Sequence, residues 1–165
     1  MDRLLRISLT KRNVSCVARL LDDAAPRTCE AVWQALPQAG DVYHGKYARN
    51  EIYTLVRGFE SDPPKENTTI TPIPGDVVLF AFEQWQLATA SHGYGSDNVA
   101  HQNERVLDLA LFYQRNNLLL NPDFGWVPGN VFATIVEGLD ELADACNDLW
   151  RAGAVGETLS FERLE

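Results

Sequence analysis

Three basic side chains stand close together in an acidic chain, in the stretch DVYHGKYARNEIY at residues 41–53. His44 can serve as acid, base or hydrogen-bond donor, because an unperturbed imidazole titrates near neutral pH. Lys46 and Arg49 carry fixed positive charge, and Tyr53 adds a phenolic donor. Together they describe a groove that attracts an anionic group. His44 would be the general acid or base, Lys46 or Arg49 the anion clamp, and Tyr53 a donor. The plainer alternative is a solvated hairpin face in which Lys46 pairs with Glu51, as exposed strand charges commonly do.

A hairpin over residues 42–56 must position these groups. With Arg49–Asn50 as a two-residue turn, strand alternation assigns each side chain to a face. Tyr43, Gly45, Tyr47, Ile52, Thr54 and Val56 then share the interior face. His44, Lys46, Ala48, Glu51, Tyr53 and Leu55 share the outer one. A one-residue slip of the turn would undo the assignment on the second strand.

The stretch NPDFGWVPGN, residues 121–130, sets Phe124 and Trp126 among two prolines and two glycines. Rigid turns carrying aromatics often form pocket walls. Asn130 could bond a ligand carbonyl or carboxylate, or cap its own turn. His92 and His101, with Asp97 between them and Glu104 nearby, fall in a long aperiodic segment at 83–105. Their spacing matches no standard helix or strand pairing of metal ligands, so neither metal nor cofactor is expected. GYGSD lacks the third glycine, the lysine and the preceding buried strand of a nucleotide loop, and reads as a flexible turn. Segments of this length inside compact domains are functional lids or disordered excursions. Trp85 opens this segment and could cover the groove.

The 165 residues fit one domain, spanning 1–165, with 45% hydrophobic and 22% charged residues. A net charge of −9 repels phosphate backbones and anionic lipid, which excludes nucleic acid and membrane surfaces as expected partners. Cys16, Cys29 and Cys146 are scattered and odd in number, with no CxxC pair. That is cysteine usage in a reducing compartment. No apolar run reaches spanning length, and MDRLLRISLTK lacks the apolar core of a signal peptide, so the expected location is cytoplasmic. NVS at 13–15 and NTT at 67–69 carry no weight as glycosylation sites without secretion.

LLRISLTK alternates as a strand, and VSCVARLL reads as its antiparallel neighbour. DDAAPRTCEAVWQAL switches to helical period, with Pro26 tolerated in the first turn and Cys29, Val32, Trp33 and Leu36 forming an apolar stripe. Pro37 and Gly40 end that helix. FESDPPKENTT is a polar loop, and TPIPGDVVLFAF is a turn followed by a buried strand. RVLDLALFYQRN and VFATIVEG read as further strands. LDELADACNDLWRAGA closes as an amphipathic helix with Leu142, Cys146, Leu149 and Trp150 toward the core and Gly153 as terminator. About seven strands with two marked helices make a mainly β protein.

Two of these segments resemble cyclophilin landmarks in the same order. APRTCEAVW (25–33) resembles the helix start after the second cyclophilin strand, and VFATIVEGLDEL (131–142) the strand-to-helix segment near the cyclophilin C-terminus. Gly138 would supply the tight turn there, with Asp140 at the positive end of the last helix. The order CEAVWQALP, EIY, PGDVVLF, LALFYQRN, VPGNVFATIVEGLDEL is similar to an uncharacterised bacterial cyclophilin-like family, a domain of unknown function, over residues 7–153. The resemblance implies a cyclophilin-like closed or nearly closed β-barrel capped by two α-helices. Cyclophilins carry an F-H-R triplet whose arginine stabilises the twisted prolyl amide, followed by Q-x-G-G-D. Here the triplet reads Tyr43, His44, Gly45, and nothing like Q-x-G-G-D follows. Lowering a barrier of about 20 kcal/mol needs that charge at the transition state, so prolyl isomerase activity is not expected.

The expected function is binding or transformation of a small, anionic metabolite in a groove on the barrel. Its catalytic candidates are His44 and Tyr53, and its ligand-binding candidates are Lys46, Arg49, Trp126 and Asn130. The expected partner is a small-molecule ligand, with a homo-oligomer left open. The alternative is a non-catalytic assembly module, marked by burial of Tyr53, Phe124 or Trp126 against a partner chain rather than around a cavity.

Overall fold

Alternation along LLRISL makes β1 (Leu4–Leu9), whose Leu5, Ile7 and Leu9 are fully buried while Arg6 points out. It pairs antiparallel with β2 (Val14–Leu20), in register Ile7 with Cys16. The computed structural model describes residues 1–60, 62–87, 92–102, 105–123 and 125–165. Helix α1 (Pro26–Ala35) begins with proline in its first turn and buries Cys29 and Val32. The Glu66 carboxylate accepts the otherwise unpaired backbone N–H groups of Arg27 and Thr28, at 3.2 and 2.9 Å. Gly40, expected to end this helix, instead lies in β3 (Gln38–Asp41).

Then follow β4 (Tyr43–His44), β5 (Glu51–Arg57), β6 (Thr68–Thr69) and β7 (Asp76–Glu83). The 83–105 segment contributes two single turns, α2 (Gln84–Leu87) and α3 (Val99–Gln102). Leu87 and Ala100 are buried with Leu55 and Val106, so this segment covers the sheet. Next come β8 (Arg105–Phe112), the short pair β9 (Leu120–Asn121) and β10 (Gly125–Trp126), and β11 (Gly129–Glu137). Gly138, at φ 82°, turns the chain into α4 (Leu139–Ala152), and a Cβ there would stand 2.9 Å from the Ser15 carbonyl oxygen. Leu142, Cys146 and Leu149 of α4 face the core as expected, but Trp150 is 64% exposed. Its indole lies against His44, with ring centroids 4.9 Å apart. Residues beyond the last element marked by the sequence pattern form β12 (Thr158–Leu164), inserted between β1 and β3.

One sheet runs in the order β3-β12-β1-β2-β11-β7-β8-β5-β4, with β6 added to β11. The protein is therefore mainly β, but the expected barrel is not closed. Gly40 of β3 packs against Thr54 and Leu55 of β5, yet among the described residues no ladder joins these ends. The main core lies inside the curl, under α1 and α4, with Leu107, Leu109 and Leu111 of β8 facing it. The opposite face of β7 and β8 carries Val78, Phe80, Ala110 and Phe112 beneath a second layer of loops. Strand β8 is buried on both faces, which explains its nearly continuous apolar run. Among the described residues no helix is long and apolar enough to cross a membrane.

Candidate functional site

The 41–53 hairpin takes a different register from the one its turn residues suggest. Tyr43 pairs with Tyr53 and His44 with Ile52, and the Gly45 N–H donates to the Glu51 carbonyl at 2.8 Å. The chain between these points loops through residues 46–50 instead of closing at a two-residue turn. The pairing shifts by three residues, an odd number, so the first strand turns over relative to the second. Glu51, Tyr53 and Leu55 do share the outer face, while Ile52 and Val56 enter the main core. His44 does not share that outer face, which corrects the expected grouping. Its Nδ1–H donates to the Gly45 carbonyl at 2.9 Å, and its Nε2 accepts from the Tyr113 hydroxyl at 2.6 Å. Burial lowers the His44 pKa, partly offset by the bond to Gly45.

On the outer face, Leu55 of β5 pairs with Asp108 of β8, and Asp108 pairs in turn with Phe80 of β7. This register sets Glu51, Tyr53 and Asp108 on one surface. Residues 45–48 of the hairpin, 118–121 and the 92–94 stretch wall that surface into a cavity of about 100 Å³. A dry cavity of about 150 Å³ takes benzene, so this one suits a group of about four heavy atoms. Glu51 and Asp108 are only 7% and 6% exposed, and Asp108 Oδ1 has no hydrogen-bond partner among the described residues. Burial raises the pKa of both carboxyls, and the charge of Glu51 raises that of Asp108 further. The two therefore titrate as a pair that holds protons where exposed acids have lost them.

Gly45 makes room for this pair. A Cβ at position 45 would meet Glu51 Oε1 at 2.7 Å and Glu51 Cβ at 3.0 Å. The residue that stands where a cyclophilin has its arginine is thus the one against which Glu51 packs.

Aromatic groups complete the wall. The Tyr53 and Tyr94 hydroxyls lie 2.5 Å apart, and Tyr43 meets Tyr94 edge-on at 5.1 Å between centroids. Burial is the leading cause that raises both the Tyr53 and Tyr94 pKa values, which keeps the phenols protonated. The His92 side chain is 7% exposed, and its Nδ1–H donates to the Leu87 carbonyl at 3.2 Å. Its Nε2 stands 3.5 Å from Asp123 Oδ2 without hydrogen-bond geometry. Lys46 lines the cavity and donates to the His92 carbonyl at 3.1 Å, tying the hairpin loop to the 92–94 stretch.

Of the residues expected at a site, Tyr53 and Lys46 meet at this cavity. Arg49 is exposed on the loop, at φ 83°, and does not line it. Trp126 is 56% exposed and borders a different groove, with Trp85 and Asn130. The Asn130 carboxamide is occupied by the fold. Its Oδ1 accepts from the Glu66 and Asn67 N–H groups, and its Nδ2 donates to Thr28 Oγ1 at 2.8 Å and the Pro64 carbonyl at 3.0 Å. His44, Lys46 and Asn130 therefore do not converge. His101 bonds the Tyr94 carbonyl oxygen through Nε2 at 3.1 Å. No group of three or more potential metal-ligating side chains occurs among the described residues, and Glu104 and Phe124 lie outside them.

Sequence reasoning missed Asp108, Tyr94 and the role of Glu51. Asp108 had a visible signal, being the one acid inside the apolar run VLDLALF. Tyr94 sits in a stretch that reads as a turn, and Glu51 reads as the partner of Lys46.

The model of the family described as "protein of unknown function (DUF3830)" matches residues 7–161. The chain belongs to this family. Among solved structures it is similar to McbB in complex with tryptophan, at TM-score 0.62 and 16% identity over 96% of this chain and 44% of McbB. The chain thus spans less than half of McbB's length. It is also similar to the Mimivirus cyclophilin, at TM-score 0.55 and 18% identity over 98% of this chain and 87% of that one. The hypothetical protein AF2241 from Archaeoglobus fulgidus matches at TM-score 0.46 and 20% identity, over 99% and 95% of the two chains. A comparison with curated proteins gives no match. At these identities the likenesses show a cyclophilin-like fold and no chemistry.

Proposed function

We propose that this DUF3830 protein binds a small metabolite in the cavity on the outer face of β5 and β8. If it also transforms that metabolite, Glu51 and Asp108 take the acid and base roles expected of His44. The observation that carries this reading is Asp108, a buried carboxyl lining a cavity with one oxygen unpartnered. An orphaned buried acceptor costs about 1–3 kcal/mol, a loss that a ligand donor would recover. The anionic ligand expected at the hairpin loses support, since His44 and Arg49 stand away from the cavity and two carboxyls line it.

The assembly reading rests on Trp85 and Trp126, both exposed beside one groove. Tyr53, by contrast, is half-buried and lines the cavity, which favours the ligand reading. A thermal-shift screen against amines, amides, carboxylates and nucleobase-derived metabolites tests it, because a ligand of the folded state raises Tm. The expected result is a compound that raises Tm in the wild type and not in Asp108→Asn. Binders that stabilise both proteins equally would contradict the assignment of this cavity.

A further inference from the structure

We propose that the ligand of this cavity presents a primary ammonium group to the wall that carries Asp108 and Glu51. The proposal rests on the reading of the cavity as a small-molecule site and names the class of molecule it takes.

Three observations point the same way. First, the walls supply acceptors: the carboxyls of Glu51 and Asp108 lie on one sheet face, and Asp108 Oδ1 has no donor among the described residues. A primary ammonium carries three donors and no acceptor, so it can satisfy such oxygens without adding another orphan. Second, the cavity lining includes the rings of Tyr53, Tyr94, Phe80 and Phe82, among aliphatic side chains such as Leu87, Leu119 and Val127. Aromatic faces attract a cation, more strongly once it is desolvated. Third, the space is about 100 Å³, which suits a slender alkylammonium head rather than a quaternary group. The net charge of −9 further favours cations over anions in the encounter.

The groups facing the pair are Tyr53 and Tyr94 from β5 and the 92–94 stretch, with His92 and Lys46 in the same wall. The Lys46 amine reaches the His92 carbonyl, which fixes it in the cavity wall. Because the empty pair holds protons that an ammonium would displace, binding releases protons. Affinity therefore rises with pH through the titration of the pair, until the amine itself loses its proton.

The test compares propylammonium chloride, 1-propanol and sodium propionate at matched ionic strength, by thermal shift and by titration calorimetry in two buffers of different ionisation enthalpy. The expected result is a Tm rise with propylammonium alone, growing with pH, and a binding heat that reports proton release. Asp108→Asn and Glu51→Gln should each weaken propylammonium binding more than about tenfold. The calorimetric proton count on the wild type keeps the test decisive if a variant fails to fold. Binding of propanol or propionate instead, lost in Asp108→Asn, would overturn the ammonium assignment and leave the cavity reading standing. Propylammonium binding without proton release, or unaffected by both substitutions, would also overturn it. If none of the three probes binds but another compound binds through Asp108, the inference falls and the cavity reading again survives. Absence of any Asp108-dependent binder overturns both.

Discussion

Buried carboxyls meet opposite fates in this protein, and the difference lies in their neighbours. Glu157 is fully buried at its side chain, yet it accepts the N–H groups of Lys11, Arg12 and Thr158 at 2.7, 3.0 and 2.9 Å. The Arg12 guanidinium adds a fourth bond at 3.1 Å. Burial alone would raise its pKa, but these donors together hold it below the ordinary glutamate value. Glu157 thus stabilises the fold above the unfolded-state pKa of about 4.3, and that contribution is lost as pH falls. Glu157→Gln should cost about 2 kcal/mol at neutral pH in urea unfolding. The gap from wild type should shrink below about pH 4, where the wild-type residue also becomes neutral. Among the described residues Glu51 and Asp108 have no such donors, and burial raises both. The folded state keeps protons that the unfolded chain releases. Their effect on stability therefore runs the other way, declining as pH rises above the ordinary carboxylate range.

At the scale of elements, the strands with strict alternation were legible, since one buried face fixes their side-chain pattern. β1 and β2 follow from that rule, and α1 and the core stripe of α4 from the helical period. The hairpin at 41–53 escaped it because its first strand is only two residues long and its turn is set by contacts from outside. Asn50 is held by Asn117 Oδ1 at 3.1 Å and by the Arg115 carbonyl at 2.8 Å, both from the segment after β8. Such contacts leave no local trace in the sequence. Trp150 was misplaced for a related reason, since its covering partner is His44 rather than the core. The close approach of Gly45 to Glu51 gives the hairpin register a direct test. Gly45→Ala should cost about 1–3 kcal/mol through overpacking. Adding Glu51→Ala should recover part of that loss in a double-mutant cycle. Additive effects of the two substitutions would contradict the contact.

For the whole molecule, two stretches singled out in the sequence, APRT and VPGN, meet in space without forming the site. Thr28 of APRT and Asn130 of VPGN bond each other and the 64–67 loop, so they anchor the architecture. The cavity lies elsewhere, on the second layer that covers the outer face of β5, β7 and β8. That layer is built from irregular segments with no period, which is why the fold was readable and the site was not. In that cavity a desolvated carboxyl pair retains protons through neutral pH. The direct measurement is a carbon-13 NMR titration of the side-chain carboxyls from about pH 3 to about pH 9, with signals assigned by Glu51→Gln and Asp108→Asn. At least one of the two carboxyls should remain protonated at neutral pH, and removing Glu51 should lower the titration of Asp108. Titration of both near the ordinary value of about 4, unchanged in the variants, would contradict it.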